Sequence, residues 1–166
     1  MWYWIIDVFL LVCLFIFMID KLTFLWVRRC YDLFYHLMIR TGGHLIFIDI
    51  DDFGDFNNQY GHPMGNKILR RIGSILLFES CLRAFRYGGD ELVILLPWTT
   101  KEKARQLAEN IRIRIEQADI EGLGVTVTCA VAKDEETADK LLLQAKGNGK
   151  NKVTTDCDVY TETRNH

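Results

Sequence analysis

Arg86-Tyr87-Gly88-Gly89-Asp90-Glu91-Leu92 sets two adjacent carboxylates behind a pair of glycines, between two short apolar runs. Leu82 to Tyr87 and Leu92 to Leu96 read as the arms of a β-hairpin, because a Gly-Gly turn between such arms is a hairpin signal. Asp90 and Glu91 are then expected at its tip. Upstream, Leu45-Ile46-Phe47-Ile48-Asp49-Ile50-Asp51-Asp52 reads as a buried strand with alternate carboxylates at its C-terminal end, the edge where open α/β sheets usually bind ligands. If the two strands are neighbours the acids converge, and converging carboxylates repel one another unless a hard cation lies between them. Oxygen-only ligation suits magnesium. A magnesium-phosphate site is the chemistry to which these residues point.

The totals narrow the classes around that site. A chain of 166 residues is one domain's worth, and 49% hydrophobic residues are ample for a core. A net charge of -2 leaves no electrostatic footprint for double-stranded nucleic acid, so a nucleotide fits better as ligand than a nucleic-acid polymer. Five cysteines, at 13, 30, 81, 129 and 157, are scattered and form no CxxC pair. They read as reduced thiols of a cytosolic domain rather than as a disulfide framework or a zinc site.

Trp2 to Met18 is apolar except for Asp7, a run that amounts to about 25 Å of helix at roughly 1.5 Å per residue. Residues 1–19 are therefore expected to form a single-pass anchor in the cell inner membrane. Lys21, Arg28 and Arg29 follow directly, and the positive-inside rule then leaves the rest of the chain in the cytoplasm. A buried or partner-packed helix is the alternative that Asp7 and the marginal length keep open.

From Asp20 to Arg40 there is no Gly or Pro, and Trp26, Cys30, Phe34, Leu37 and Met38 recur at helical spacing, so the anchor is expected to continue into an amphipathic helix. Phe53 to Pro63 reads as a loop, followed by a helix that buries Ile68, Leu69, Ile72, Ile75 and Leu76. Beyond the hairpin, Thr99-Thr100 can cap a helix with an Ala104, Leu107, Ala108, Ile111, Ile115 stripe. Val125 to Ala132 reads as a strand, Thr137 to Ala145 as a last helix, and Lys146 to Lys152 as a basic loop. Residues 156–166 form a polar tail.

These segments together resemble the GGDEF domain of the diguanylate cyclase family. The signature turn is Gly88-Gly89-Asp90-Glu91-Leu92. Asp20-Lys21-Leu22-Thr23 with Leu25 and Arg28-Arg29 resembles the family's opening motif, and Asp49-Ile50-Asp51-Asp52-Phe53 with Asn57 and Gly61-His62 its first strand and loop. Ala138-Asp139, Ala145-Lys146 and Gly149-Lys150-Asn151 resemble its closing motif. Four ordered segments across residues 20–155 are far more specific than one turn.

The resemblance implies an α+β, ferredoxin-like palm: a mainly antiparallel sheet flanked by helices, as in nucleotide cyclases and polymerase palms. It implies that Asp49 and Asp90 hold two Mg2+ per active site, with the Ile50 carbonyl as a backbone ligand, and that Glu91 assists in metal binding and in activating a 3′-hydroxyl. Phe53 and Gly54 match the loop whose amides meet the terminal phosphates, and Lys146 and Lys150 the basic pair that holds them. Lys150 stands where the family usually has Arg, which keeps the charge and loses the fork. Asn57 matches a guanine-contacting residue. The expected activity condenses two nucleoside triphosphates into a cyclic dinucleotide second messenger within a homodimer, most simply cyclic di-GMP from two GTP.

Three departures stand out. Asn66 occupies the place of an aspartate that accepts from guanine N1–H and N2; an amide, with one donor and one acceptor, matches adenine better and leaves ATP open as a substrate. Glu79-Ser80-Cys81-Leu82 lacks the RxxD pattern used for product inhibition. Phe24 and Val27 replace the opening motif's glycine and asparagine, so its kink is expected to be lost. A silent nucleotide-binding module is the rival from another class, and intact Asp49, Asp90 and Glu91 argue against it.

Overall fold

The computed structural model describes residues 3–156, with side chains from Ile6 onward except that of Val12. The chain runs α1 (Tyr3–Phe17), β1 (Trp26–Val27), α2 (Arg28–Arg40), β2 (His44–Ile50), α3 (Phe53–Tyr60), α4 (His62–Glu79), β3 (Ala84–Arg86), β4 (Glu91–Leu96), α5 (Lys101–Glu116), a 3-10 turn (Ile120–Gly122), β5 (Val127–Ala132), α6 (Glu135–Gly147) and β6 (Val153–Thr155).

All seven residues of β2 are buried, which is why its sequence is a nearly continuous apolar run. It lies inside a six-stranded sheet of order β1-β3-β4-β2-β5-β6. The β3–β4, β4–β2 and β2–β5 pairs are antiparallel, and only the outer β1–β3 and β5–β6 pairs are parallel. The expected palm-type sheet flanked by helices is what forms. Strand period divides the core in two. Ile46, Ile48, Ile50, Leu92, Ile94 and Leu96 pack with Ile68, Ile72, Ala108 and Ile111 of α4 and α5, whereas Leu45, Phe47, Val93 and Leu95 pack with Tyr31, Met38, Leu141 and Leu142 of α2 and α6. A one-residue slip of β2 would exchange the two faces, so register is strongly specified.

The membrane expectation is overturned. α1 has 15 residues, about 22 Å at 1.5 Å per residue, short of the roughly 30 Å hydrocarbon thickness. Among the described residues no helix is long and apolar enough to cross a membrane. The apolar run is cut at its C-terminal end because Met18 leaves the helix and Ile19 bridges to Trp26. Single-pass inner-membrane placement, and the cytoplasmic orientation deduced from it, therefore fall.

Three local expectations are also corrected. No helix runs from Asp20 to Arg40: the Asp20 carboxylate accepts from the amides of Leu22 and Thr23 and from the Thr23 hydroxyl, closing a turn, and Trp26 belongs to β1, beside β3. The kink survives the loss of glycine, since Phe24 itself adopts a left-handed φ of 60°. Phe53 to Pro63 is not a loop but α3 and the start of α4, where Pro63 fits the first turn because no amide hydrogen is needed there.

Candidate active site

Antiparallel register decides where the acids meet. Asp49, the penultimate residue of β2, lies directly opposite Glu91, the first residue of β4. Directly opposed residues project from the same face with Cβ atoms about 5 Å apart. That face is the one α6 covers. Glu91 is thus in the strand rather than at the hairpin tip, which consists of Gly88, Gly89 and Asp90. The amides of Tyr87 and Gly88 both donate to the Glu91 carbonyl, at 2.9 and 3.1 Å. Neither glycine of the turn has a positive φ. A Cβ at Gly88 would meet the Glu91 carboxylate and force that side chain to shift.

Asp49 is only 6% exposed, and burial pushes its carboxyl above the usual carboxylate range. The Lys146 ammonium, in the last turn of α6, lies 2.7 Å from Oδ1 and opposes that rise, while Asp90 and Glu91 reinforce it. Lys150 forms a second ion pair with Asp52. Both lysines that the sequence assigned to phosphate therefore close on the acidic strand end. Among the described residues no three carboxylate, His or Cys side chains gather closely enough to form a ready-made metal cage. The donor set nevertheless fits a hard cation: a buried carboxylate, a second one in cross-strand register, a third on the turn, and a lysine supplying the charge such an ion would otherwise supply.

One residue whose role the sequence did not reveal organises the turn. Arg86 donates to Asp20 Oδ1 at 3.1 Å and to the Gly89 carbonyl at 2.9 Å, linking the opening motif to the signature turn. Next to it, the Tyr87 ring is covered by Arg28, whose guanidinium carbon sits 4.0 Å from the ring centroid. The only sequence signal was that Asp20 and Arg86 each fall inside a motif; nothing in their spacing joins residues 66 positions apart.

The profile described as "Diguanylate cyclase, GGDEF domain" matches residues 17–152. The chain belongs to this family. Diguanylate cyclase DgcM of Escherichia coli strain K12 is 39% identical over 132 residues, covering 71% of this chain and 32% of DgcM. Diguanylate cyclase VdcA of Vibrio cholerae is 34% identical over 154 residues, covering 81% of this chain and 45% of VdcA. The chain thus spans less than half the length of these curated relatives. The crystal structure of the coiled coil and GGDEF domain of DgcB from Caulobacter crescentus, in complex with c-di-GMP, superposes with a TM-score of 0.80 at 26% identity, covering 90% of this chain and 91% of that one.

The remaining predicted residues of the GGDEF site lie around α3 and α4. Phe53 and Gly54 form the first turn of α3, where amide groups have no acceptor within the helix. Asn57 packs against Gly65: a Cβ on Gly65 would overlap the Asn57 amide and approach the Phe53 ring to 3.1 Å. Asn66, exposed on α4, is the neighbour of that glycine. Asn57 thus lies at the α3–α4 contact, and Asn66 follows Gly65 in α4.

Proposed function

We propose that this chain condenses two GTP molecules into cyclic di-GMP, with residues 20–155 as the nucleotidyltransferase domain. The observation that carries the reading is the Asp49–Glu91 cross-strand pair, with Lys146 on Asp49, in a chain of the GGDEF family. Asp49, Asp90, Glu91 and the Ile50 carbonyl would hold two magnesium ions, which when bound lower the pKa of a 3′-hydroxyl and neutralise charge on the α-phosphate and the leaving pyrophosphate. The Glu91 carboxylate takes the proton of that hydroxyl. The 3′-oxygen then bonds to the α-phosphorus of the second GTP as the α–β anhydride breaks and pyrophosphate leaves; a second identical step closes the ring. Lys146 and Lys150 bind the β- and γ-phosphates, exchanging their carboxylate partners Asp49 and Asp52 for phosphate oxygens, and the first-turn amides of Phe53 and Gly54 add donors to the same oxygens.

One domain holds one nucleotide, so two chains must face each other with each 3′-hydroxyl at the other's α-phosphate. A homodimer follows from that stoichiometry. Asp90→Asn with Glu91→Gln tests the reading: turnover should vanish with the thermal transition unchanged within about 3 °C, and an active double variant would overturn the assignment.

A second reading of the base is favoured by Asn66. Its amide can pair with adenine's N6 donor and N1 acceptor, whereas guanine would set a donor against a donor. A mismatch of that kind is worth about 1–3 kcal/mol. A product containing adenine is the outcome this reading predicts.

A further inference from the structure

Two residues that the family motifs include, but that have no part in the chemistry above, join a third from outside every motif. Asp51 is 3% exposed, and its carboxylate accepts from Thr128 Oγ1 at 2.6 Å, Thr126 Oγ1 at 2.7 Å and the Asn151 amide at 3.0 Å. It is a buried acceptor satisfied by these three donors. The Asn151 side chain reaches to α5: its Oδ1 accepts from Arg112 Nη1 at 2.8 Å and its Nδ2 donates to Glu116 Oε1 at 2.8 Å. Arg112 is fixed in turn by Glu109, through Nη2 at 2.6 Å and Nε at 3.0 Å, and by Glu116, through Nη1 at 2.9 Å.

The backbone leading into Asn151 needs holding. Gly149, Lys150 and Asn151 are three consecutive residues at positive φ, 102°, 56° and 44°. Glycine adopts that region freely and Asn at small cost, but for Lys it is unfavourable and persists where surrounding contacts hold it. Both contacts fall on Asn151: the Asp51 carboxylate accepts from its backbone N–H, and the Arg112–Glu116 pair grips its side chain. This left-handed run, immediately after α6, sets where the Lys150 ammonium emerges relative to Lys146.

We propose that Asp51, Asn151 and Arg112 form a brace that fixes the Lys146–Lys150 loop in its triphosphate-binding conformation, and that Arg112 sets nucleotide affinity from a helix that never touches the nucleotide. Arg112 is a positioning residue acting through Lys150. The inference rests on the phosphate role given to the two lysines above. A brace of this kind changes binding more than chemistry, and its removal is redundant once the group it positions is gone.

The test uses the full chain in four variants: Arg112→Ala, Lys150→Ala, the double variant, and Arg114→Ala, whose partner on the same helix level is Glu79 rather than the loop. Calorimetric titration with GTP and magnesium, steady-state kinetics, and amide hydrogen exchange of residues 148–152 without nucleotide are measured on each. Arg112→Ala should weaken GTP binding about tenfold, leave kcat within about twofold, and speed exchange at Asn151 about tenfold or more. Arg114→Ala should do none of these. The double variant should bind no worse than Lys150→Ala within about twofold. A multiplicative double variant, unchanged exchange, or a loss confined to kcat would overturn the inference. Wild-type chain that binds no GTP would overturn the phosphate reading and the brace's function together, whereas normal wild-type binding with an indifferent Arg112→Ala would overturn the brace alone.

Discussion

Asp49 is held between the cost of burial and the favourable Lys146 ammonium. Its folded pKa is raised, first by burial and then by Asp90 and Glu91, against the opposing Lys146. The folded chain therefore binds its proton more tightly than the unfolded chain does, and stability is lost as pH rises from the ordinary carboxylate range through the raised value. Asp49→Asn, measured in chelator, should raise the melting temperature by about 2–4 °C, the shift expected for roughly 1 kcal/mol in a chain of this size, while abolishing turnover. A fall in melting temperature would contradict this account of the acid. On α4, Asn66→Asp should shift the ratio of GTP to ATP turnover about tenfold or more towards GTP; an unchanged ratio would remove Asn66 from base choice. The sequence displayed Asp49, Asp90, Glu91, Lys146 and Lys150 because each lies in a motif. It did not display the link of Asp20 to Arg86 or of Asp51 to Asn151, since hydrogen bonds between distant segments leave no local spacing to read.

At the scale of elements, the turn from Asp20 to Leu25 is where reading and structure part. Helical spacing across Trp26, Cys30 and Phe34 was real, but one acidic side chain capturing two amides and a hydroxyl outcompetes a helical turn, and β1 then pairs with β3. Burial alone would raise the Asp20 pKa, but Thr23 and Arg86 outweigh it and hold the carboxyl below the usual range. With the folded pKa depressed, this stabilisation is present above about pH 4 and lost as pH falls through the folded value. Asp20→Asn should cost about 1–2 kcal/mol at neutral pH and progressively less in acid, as denaturant unfolding at several pH values would reveal. Against the same turn, Gly73 of α4 has no room for a methyl group: a Cβ would lie 2.5 Å from the Thr23 carbonyl oxygen and 2.9 Å from its Cα. Gly73→Ala should destabilise by about 1–3 kcal/mol despite the better helix propensity of alanine. A stabilised variant would show that the turn can retreat. α3 escaped the sequence reading for a related reason: Gly54, Asn57 and Asn58 are poor helix formers, and the segment is helical because Phe53 and Phe56 pack against the core.

At the scale of the whole molecule, the mainly antiparallel sheet flanked by helices was legible through the family motifs, whereas the strand order and the end of α1 were not. An apolar composition alone does not distinguish a bilayer span from a helix that stops at Phe17, and only the length of the helix settles it. If catalysis requires two facing chains, specific activity should fall as the protein is diluted below its dimer dissociation constant, with a second-order dependence on chain concentration at the dilute limit. Sedimentation of the same samples would relate the loss to dissociation, and activity strictly proportional to concentration throughout would argue against the facing pair. The most direct measurement is mass spectrometry of the products formed when the full chain is incubated with magnesium and an equal mixture of the four nucleoside triphosphates. Cyclic di-GMP with pyrophosphate at two per ring is the predicted result. Absence of any cyclic dinucleotide from a folded, GTP-binding dimer would contradict the central claim.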